Sequence, residues 1–418
     1  MTSKFQNVCD FFLLFLEESP QFKDKIFLIG GAVRDSFLNI ESTHLDIDIT
    51  VEHKDGAHDL AFALHRLFPS NITIPFQIGQ GYPIWKIKFN SPLIIKNKTF
   101  DFTGFEFDFA DTQKECFPDP LTRQRITEFG TFTEDIFRRD FTINMLAFDL
   151  TRGLLIDPSG FSINDLTHGK IQTHPHLDGK KILNDDPLRI IRALRFSAVL
   201  NFTISETTKK DLKICAPRLE IVSVERILSE WSKTIAKGSW TKLLRLTLDL
   251  GLFAFFFPHI NEEFIPWTQL SDFKNTLYDQ FLIFLYGQSP VTVEDYLKSL
   301  KWDQTSIKKI KKAHLALQKN PATTQEGCRW RRENIDILED LRQFKQTEPI
   351  FKKIDPIPVW SKPVLNGHQI QTLFNVSGPQ IKYLQHLSED LRDNYYITHQ
   401  TEIPLPLLID EIKKQHHS

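Results

Sequence analysis

The chain has 418 residues, 41% of them hydrophobic and 25% charged, with a formal net charge of −2 at pH 7. These are ordinary globular proportions; they exclude a disordered, collagen-like or coiled-coil chain, and the length suggests about two to four domains. No global positive field announces a nucleic-acid partner, although a local basic surface binds RNA without one.

The apolar run Phe11 to Leu16 is too short to span a membrane. It is flanked by Asp10, Glu17 and Glu18 rather than by a basic start and a small-residue cleavage site, so it reads as an amphipathic first helix. Cys9, Cys116, Cys215 and Cys328 are scattered without metal-ligand or redox spacing, which points to a reduced, cytoplasmic setting. The 36 phenylalanines against 7 tyrosines carry no functional reading. Residues 26–29, ending in Gly30-Gly31, read as a buried strand and tight turn, and 32–38 as a helix. Strands are expected over 45–51, 84–89 and 98–103, and a loop over 118–130, which Pro118 and Pro120 break. After Asp157 helical periodicity takes over, at 187–200, 224–236, 240–255, 294–300, 306–318 and 379–392. Asp157-Pro158-Ser159-Gly160 reads as a hinge, and the Pro-rich stretch 356–363 as a link to a last helical unit.

Strand alternation puts Asp46, Asp48 and Thr50 on one face and Ile47, Ile49 and Val51 on the other. Two carboxylates about 6–7 Å apart along a strand can converge on a divalent cation, as metal-assisted phosphoryl transfer requires. An ordinary half-buried strand shows the same alternation. The preceding Gly30-Gly31-Ala32-Val33-Arg34-Asp35 adds glycines that let backbone N–H groups approach a phosphate, and a fork-shaped donor in Arg34. Asp101 faces with Thr99 and Thr103 on an expected strand; it is a candidate third carboxylate or a plain exposed aspartate.

In Asn184-Asp185-Asp186-Pro187-Leu188-Arg189, Asp186 and Arg189 stand one turn apart on a helix face. A cap with a local salt bridge is the simplest interpretation. The pair also has a specific capability. Ionised Asp only accepts and Arg only donates. Together they complement cytosine and adenine, which present an amine donor beside a ring-nitrogen acceptor, and oppose uracil and guanine. Arg192 and Arg195 continue a basic stripe towards a triphosphate or an RNA backbone, or form a solvated face. The same two interpretations apply to Lys308, Lys309, Lys311 and Lys312 and to Arg331 and Arg332, which have the charge to follow an RNA backbone.

The GGAVRD and DID segments, Arg138-Arg139-Asp140-Phe141-Thr142-Ile143-Asn144, and the stretch 184–196 together resemble the motifs of the class II tRNA nucleotidyltransferase and poly(A) polymerase family, bacterial type. The resemblance implies an α/β nucleotidyltransferase (polymerase-beta-like) head with a mixed sheet, followed by an all-α neck, body and tail. The corresponding ranges are 1–156, 157–238, 239–355 and 356–418. It assigns Mg²⁺ to Asp46 and Asp48 as the catalytic pair, and the nucleotide's phosphates to Gly30, Gly31, Arg34 and Arg139. Asp140 takes the ribose. Asp186 and Arg189 select the base, supported by Asp185 where the family has Glu, with Glu225 and Arg226 bracing the helix. Asn39 replaces a family glycine and Met145 an alanine.

The implied activity is untemplated addition of C, C and A to a tRNA 3′ end from CTP and ATP, with release of pyrophosphate. The body and tail would hold tRNA, with no membrane and no obligate protein partner. Poly(A) polymerase and CC- or A-adding variants share these motifs, and the loop with Arg123 and Arg125 bears on the last addition. The C-terminal half lacks the His-Asp pair of the phosphohydrolase domain found in some relatives, so no phosphatase activity is expected. A catalytically silent RNA-binding protein and a small-molecule nucleotidyltransferase are the rival classes.

Overall fold

The computed structural model describes residues 2–41, 46–79, 82–116, 126–270, 276–319, 321–344, 347–360 and 363–416. Two compact units divide the chain, Met1–Phe256 and Phe257–Ser418.

The first unit opens with helix α1 (Ser3–Glu18), strand β1 (Ile26–Ile29), helix α2 (Gly31–Phe37), strand β2 (Asp46–Val51) and helix α3 (Gly56–Leu67). Strands β3 (Phe76–Ile78), β4 (Ile84–Lys88), β5 (Leu93–Ile95), β6 (Lys98–Phe100), β7 (Glu106–Asp111), β8 (Gln113–Cys116) and β9 (Ile126–Phe129) follow. Then come helix α4 (Phe132–Phe137) and strands β10 (Ala147–Asp149) and β11 (Leu154–Ile156). The main sheet has the order β11-β10-β1-β2-β7-β4-β3. It is mixed: β2 and β7 run parallel, and its other neighbours run antiparallel.

Register decides which face carries chemistry. Ile29 pairs with Asp48 and Phe27 with Thr50, so the polar side of β2 shares a face with Phe27 and Ile29. That face packs α4 through Phe132 and Ile136, with Phe27 and Phe132 stacked at 4.0 Å. Met145 is buried in the same cluster, so the extra volume at that position is core packing. Ile47, Ile49 and Val51 point the other way and are fully buried. There α1 lays down Phe11, Phe12 and Phe15, and Phe12 stacks on Phe107. The phenylalanine excess is thus core material: Phe89, Phe100, Phe102 and Phe109 are buried as well, each contributing about 1.5–3 kcal/mol on burial.

Two local expectations change. The strand expected over 98–103 stops at Phe100, because β5 and β6 form a short hairpin whose second strand ends there. Within 118–130, residues 126–129 form β9 on β8, while 117–125, including Arg123 and Arg125, lie outside the described residues. Asn39, at the family's glycine position, has φ +54°, a left-handed conformation that Asn tolerates better than most residues.

The rest of the first unit is mainly helical: α5 (Ser162–Thr167), α6 (Gly179–Asp185), α7 (Leu188–Leu200), α8 (Glu206–Cys215), α9 (Val224–Ala236), α10 (Trp240–Asp249) and α11 (Phe253–Phe256). The expected hinge at 157–160 is a closed turn: Asp157 accepts from Ser159 Oγ, Gly160 N and Ile163 N. The compact unit runs on past it to residue 256.

The second unit carries helices and turns among its described residues: α12 (Leu277–Phe284), α13 (Pro290–Ser299), α14 (Gln304–Gln318), α15 (Thr324–Glu333), α16 (Leu338–Arg342), α17 (Glu348–Ile354), α18 (Gly367–Phe374), α19 (Pro379–His399) and α20 (Leu405–His416). The last three helices share a core of Ile370, Leu384, Leu408 and Ile412. Among the described residues no helix is long and apolar enough to cross a membrane.

Candidate active site

A cavity of about 650 Å³ opens in the first unit. It is lined by the turn Gly30–Gly31, by Arg34, Asp46 and Asp48, by Arg138, Arg139 and Asp140, and by Asp186, Arg189, Arg192, Arg195 and Arg226. Motifs separated by up to 196 positions of chain therefore converge on one space.

At one end stand the carboxylates. Asp46 is exposed and Asp48 half-buried. Burial, with Asp108 and Asp46 adding to it, pushes the Asp48 carboxyl up to about 6, although Arg139 opposes the shift. Gly30 is required here twice over. Its φ is +76°, and a Cβ would come within 3.0 Å of Asp48 Oδ2.

Asp101 is not at this end. It lies beyond the β6 hairpin, exposed, with Oδ1 accepting from Thr103 N at 2.9 Å. The third carboxylate beside the pair is Asp108, in register with Asp48 on parallel β7 and ion-paired to Lys86 at 2.9 Å. The alternation of 99–103 suggested a strand; only the sheet order shows that β7 is the neighbour of β2. Among the described residues no group of three His, Cys, Asp or Glu side chains converges to cage a metal. Two carboxylates still suit Mg²⁺, which commonly takes one or two from protein and the rest from phosphates and water.

The arginines are held from behind. Buried Asp135, one turn earlier on α4, accepts from Arg138 Nε and Nη2 and from Arg139 Nη2 at 2.8–3.1 Å. Burial pushes its carboxyl up, but the two guanidiniums beside it more than offset this and hold it below the usual range. Sequence reasoning missed Asp135, although its i+3 and i+4 spacing to two arginines was a usable signal. Arg139 Nε is buried with no hydrogen-bond partner among the described residues, a donor left available to a ligand.

Asp140 is a buried hub. Oδ1 accepts from Phe141 N and Asn144 Nδ2, both at 2.9 Å, and Oδ2 from Arg192 Nε at 2.7 Å. Burial opposes its charge, but Arg192, Asn144 and Arg189 hold its carboxyl well below the usual range. Three of about four acceptor positions are engaged by protein, so its first task is to join the head to α7. Asn144 extends the chain by accepting from Arg34 Nη1 at 2.8 Å. The ring of Phe196 lies under Arg34, Arg192 and Arg195, with guanidinium carbons 4.1–5.2 Å from its centroid.

Asp186 and Arg189 are held by other groups. Arg226 Nη2 donates to Asp186 Oδ2 at 2.8 Å. Arg189 donates to Ile182 O at 3.1 Å and to Arg138 O at 2.7 Å. A guanidinium has five N–H donors, so three remain. Asp185 faces a smaller adjoining cavity with Arg189, where burial pushes its carboxyl up. Arg226 thus reaches Asp186 from α9, whereas Glu225 is exposed on the first turn of that helix. The buried brace from α9 is Glu230, which accepts from Arg195 Nε at 2.6 Å and Lys233 Nζ at 3.1 Å and lies 3.9 Å from Arg192.

In the second unit, Arg331 and Arg332 do not present a surface to RNA. Arg331 is buried and donates to Ile354 O, Ile357 O and Pro358 O. Arg332 is ion-paired with Asp390, Asp393 and Glu389. Both point inward because α15 packs between α17 and α19. Lys311 pairs with Glu294 and Lys312 with Asp336, whereas Lys308 and Lys309 are exposed.

This arrangement, strand carboxylates facing a cluster of arginines, defines a nucleotidyltransferase class, and comparison with known proteins agrees. Residues 26–172 match the poly A polymerase head domain, and residues 201–264 match a probable RNA and SrmB-binding site of polymerase A. The CCA-adding enzyme of Streptococcus sanguinis is 27% identical over 389 residues, covering 87% of this chain and 89% of that protein. That of Staphylococcus haemolyticus is 26% identical, covering 96% and 95%. A CC-adding tRNA nucleotidyltransferase of Synechocystis is 28% identical over 234 residues, and the chain spans 47% of its length. Tested against solved structures, the fold matches a CCA-adding enzyme in apo form with TM-score 0.72 at 22% identity, covering 98% of this chain and 96% of that one. The Bacillus stearothermophilus CCA-adding enzyme in complex with CTP matches with TM-score 0.69 at 19% identity, covering 100% and 98%. The chain belongs to the class II tRNA nucleotidyltransferase and poly(A) polymerase family.

Proposed function

We propose that this protein is a CCA-adding enzyme of the cytoplasm, extending the 3′ end of tRNA with C, C and A from CTP and ATP and releasing pyrophosphate. The observation that carries the reading is that Asp186 and Arg189, each held by other groups, share one cavity with Asp46 and Asp48. Asp186 accepts from the exocyclic amine of C or A, and Arg189 donates to the adjacent ring nitrogen. Uracil and guanine would set acceptor against acceptor and donor against donor, leaving polar groups unpaired in a site built for the opposite order. Arg34, Arg139 and the Gly30–Gly31 turn meet the triphosphate, and the open Nε of Arg139 gains a phosphate acceptor.

Asp46 and Asp48 would hold Mg²⁺, which when bound would supply activation of the attacking 3′-hydroxyl and neutralisation of phosphate charge. The RNA 3′-hydroxyl oxygen forms its bond to the α-phosphorus as its proton passes to solvent, and the bond from the α-phosphorus to the bridging oxygen breaks, so that pyrophosphate leaves with that oxygen. In the second unit Lys308 and Lys309, which are exposed, would contact the tRNA backbone.

The test is single-nucleotide extension of a tRNA transcript ending at the discriminator base. CTP alone should add two residues, and CTP with ATP three followed by a stop. A stop at two with both nucleotides would make this a CC-adding variant, in line with the Synechocystis relative. A long tail from ATP alone would make it a poly(A) polymerase, and no product at all would overturn the enzyme reading.

A further inference from the structure

One wall of the cavity is formed by a single face of α9. Arg226, Glu230, Lys233 and Lys237 succeed one another at intervals of four, three and four, so they lie on one face of α9 and its C-cap. Arg226 pairs with Asp186. Glu230 lies buried beneath Arg195, Arg192 and Lys233, a single negative charge shared by three cations. Lys233 and Lys237 also line the cavity, and both are exposed. Lys237 makes no ion pair among the described residues.

The other cations of the cavity are engaged. Arg34 pairs with Asp35, Arg138 and Arg139 with Asp135, and Arg192 with Asp140, while Arg189 donates to carbonyls. The positive charge left over therefore sits at the C-terminal end of α9. Lys237 is eleven residues beyond Arg226, about 16 Å along the helix. Arginines grip a fixed, forked ligand; a lysine is a point charge on a flexible stem and suits a polyanion that moves. If the chain extends RNA as proposed, the RNA 3′-hydroxyl must reach Asp46 and Asp48, so its last phosphates must enter this cavity beside the bound nucleotide.

We infer that Lys233 and Lys237 form a track for the terminal phosphodiesters of the RNA primer, separate from the triphosphate site; the inference rests on the proposed function. Side chains one turn apart on a helix have Cβ atoms about 5–6 Å apart, comparable to neighbouring phosphates on a strand. As RNA grows by one residue, each phosphate can pass from one lysine to the next without a change in the base-reading pair.

The experiment titrates a fluorescein-labelled tRNA minihelix ending at the discriminator base against wild type, Lys237→Ala, Lys237→Arg and the double variant Lys233→Ala/Lys237→Ala, over a range of salt. CTP saturation is measured in parallel. Each lysine removed should make the log–log salt dependence of binding shallower by about one. The double variant should bind RNA about tenfold more weakly at low salt, with KM for CTP unchanged and Lys237→Arg close to wild type. Unchanged RNA binding and slope would overturn the track. So would a rise in KM for CTP with RNA binding intact, which would give the lysines to the triphosphate. The titration needs no turnover. A wild type that binds the minihelix and fails to extend it refutes the proposed function and leaves the track to be judged by the slopes; a wild type that does not bind it refutes both.

Discussion

Replacing Asp135 with asparagine removes one buried charge and keeps the shape. Asp135 is 1% exposed and is the shared anion of Arg138 and Arg139. Arg138 retains Glu115 at 2.8 Å, whereas Arg139 has no second ion pair among the described residues, although it is attracted by Asp48. Deleting one partner of a buried pair costs about 3–5 kcal/mol. The amide still accepts one hydrogen bond and both guanidiniums are partly exposed, so the lower end, about 3 kcal/mol, is expected.

With a urea slope of about 2 kcal/mol/M, the unfolding midpoint of the first unit should fall by about 1.5 M. CTP incorporation should drop by about tenfold or more, because Arg139 no longer holds its position against the triphosphate. The pH dependence has a definite sign. The folded carboxyl is held below its unfolded value, so its contribution is complete above about pH 4 and is lost as pH falls through the folded value. The gap in stability between wild type and Asp135→Asn should therefore narrow below about pH 4. An unchanged midpoint with an unchanged acid limb would refute the reasoning, because it would mean that Asp135 carries no net charge interaction with the arginines.

Gly30→Ala should cost about 1–2 kcal/mol in stability for a left-handed φ. By displacing Asp48 it should lower incorporation by about a hundredfold, read by urea unfolding and single-turnover extension; near-normal turnover would show that the approach of Gly30 to Asp48 is not needed. Arg226→Ala should leave stability within about 0.5 kcal/mol, since the pair is largely exposed. It should nevertheless lower the preference for CTP over UTP by about tenfold as Asp186 loses its tether, measured as the ratio of kcat/KM; an unchanged ratio would show that Arg226 does not position Asp186. Asp101→Ala should leave kcat and its Mg²⁺ dependence at wild-type values, and a loss of Mg²⁺ activation would restore Asp101 to the metal site.

The local chemistry was legible because it is written in short-range spacing. Alternation in Asp46–Val51 put two carboxylates on one face before any fold was known; the shared helix face expected for Asp186 and Arg189 did not hold, because Asp186, preceding Pro187, is extended (φ −140°, ψ 95°) and only Arg189 lies on α7. The glycines before Arg34 announced a turn, and Gly30 takes a φ of +76° there that favours glycine. These features depend on dihedral preferences and helix or strand period, which a few neighbouring residues determine.

What only the tertiary structure decided were the partners contributed from distant segments. Asp101 and Asp108 both sit in alternating stretches, and sheet order alone put Asp108 beside Asp48. Arg331 and Arg332 read as a basic surface until the packing of α15 against α17 and α19 turned them inward. Arg189 is oriented by the carbonyls of Arg138 and Ile182, and Arg195 by Glu230, contacts that span 51, 7 and 35 residues. The sequence by itself determined which groups carry charge and which face of their own element they occupy. Which charges meet, and which stay free for a ligand, was decided by the packing of strands and helices from distant parts of the chain, because long-range approach is set by the whole core and not by local periodicity.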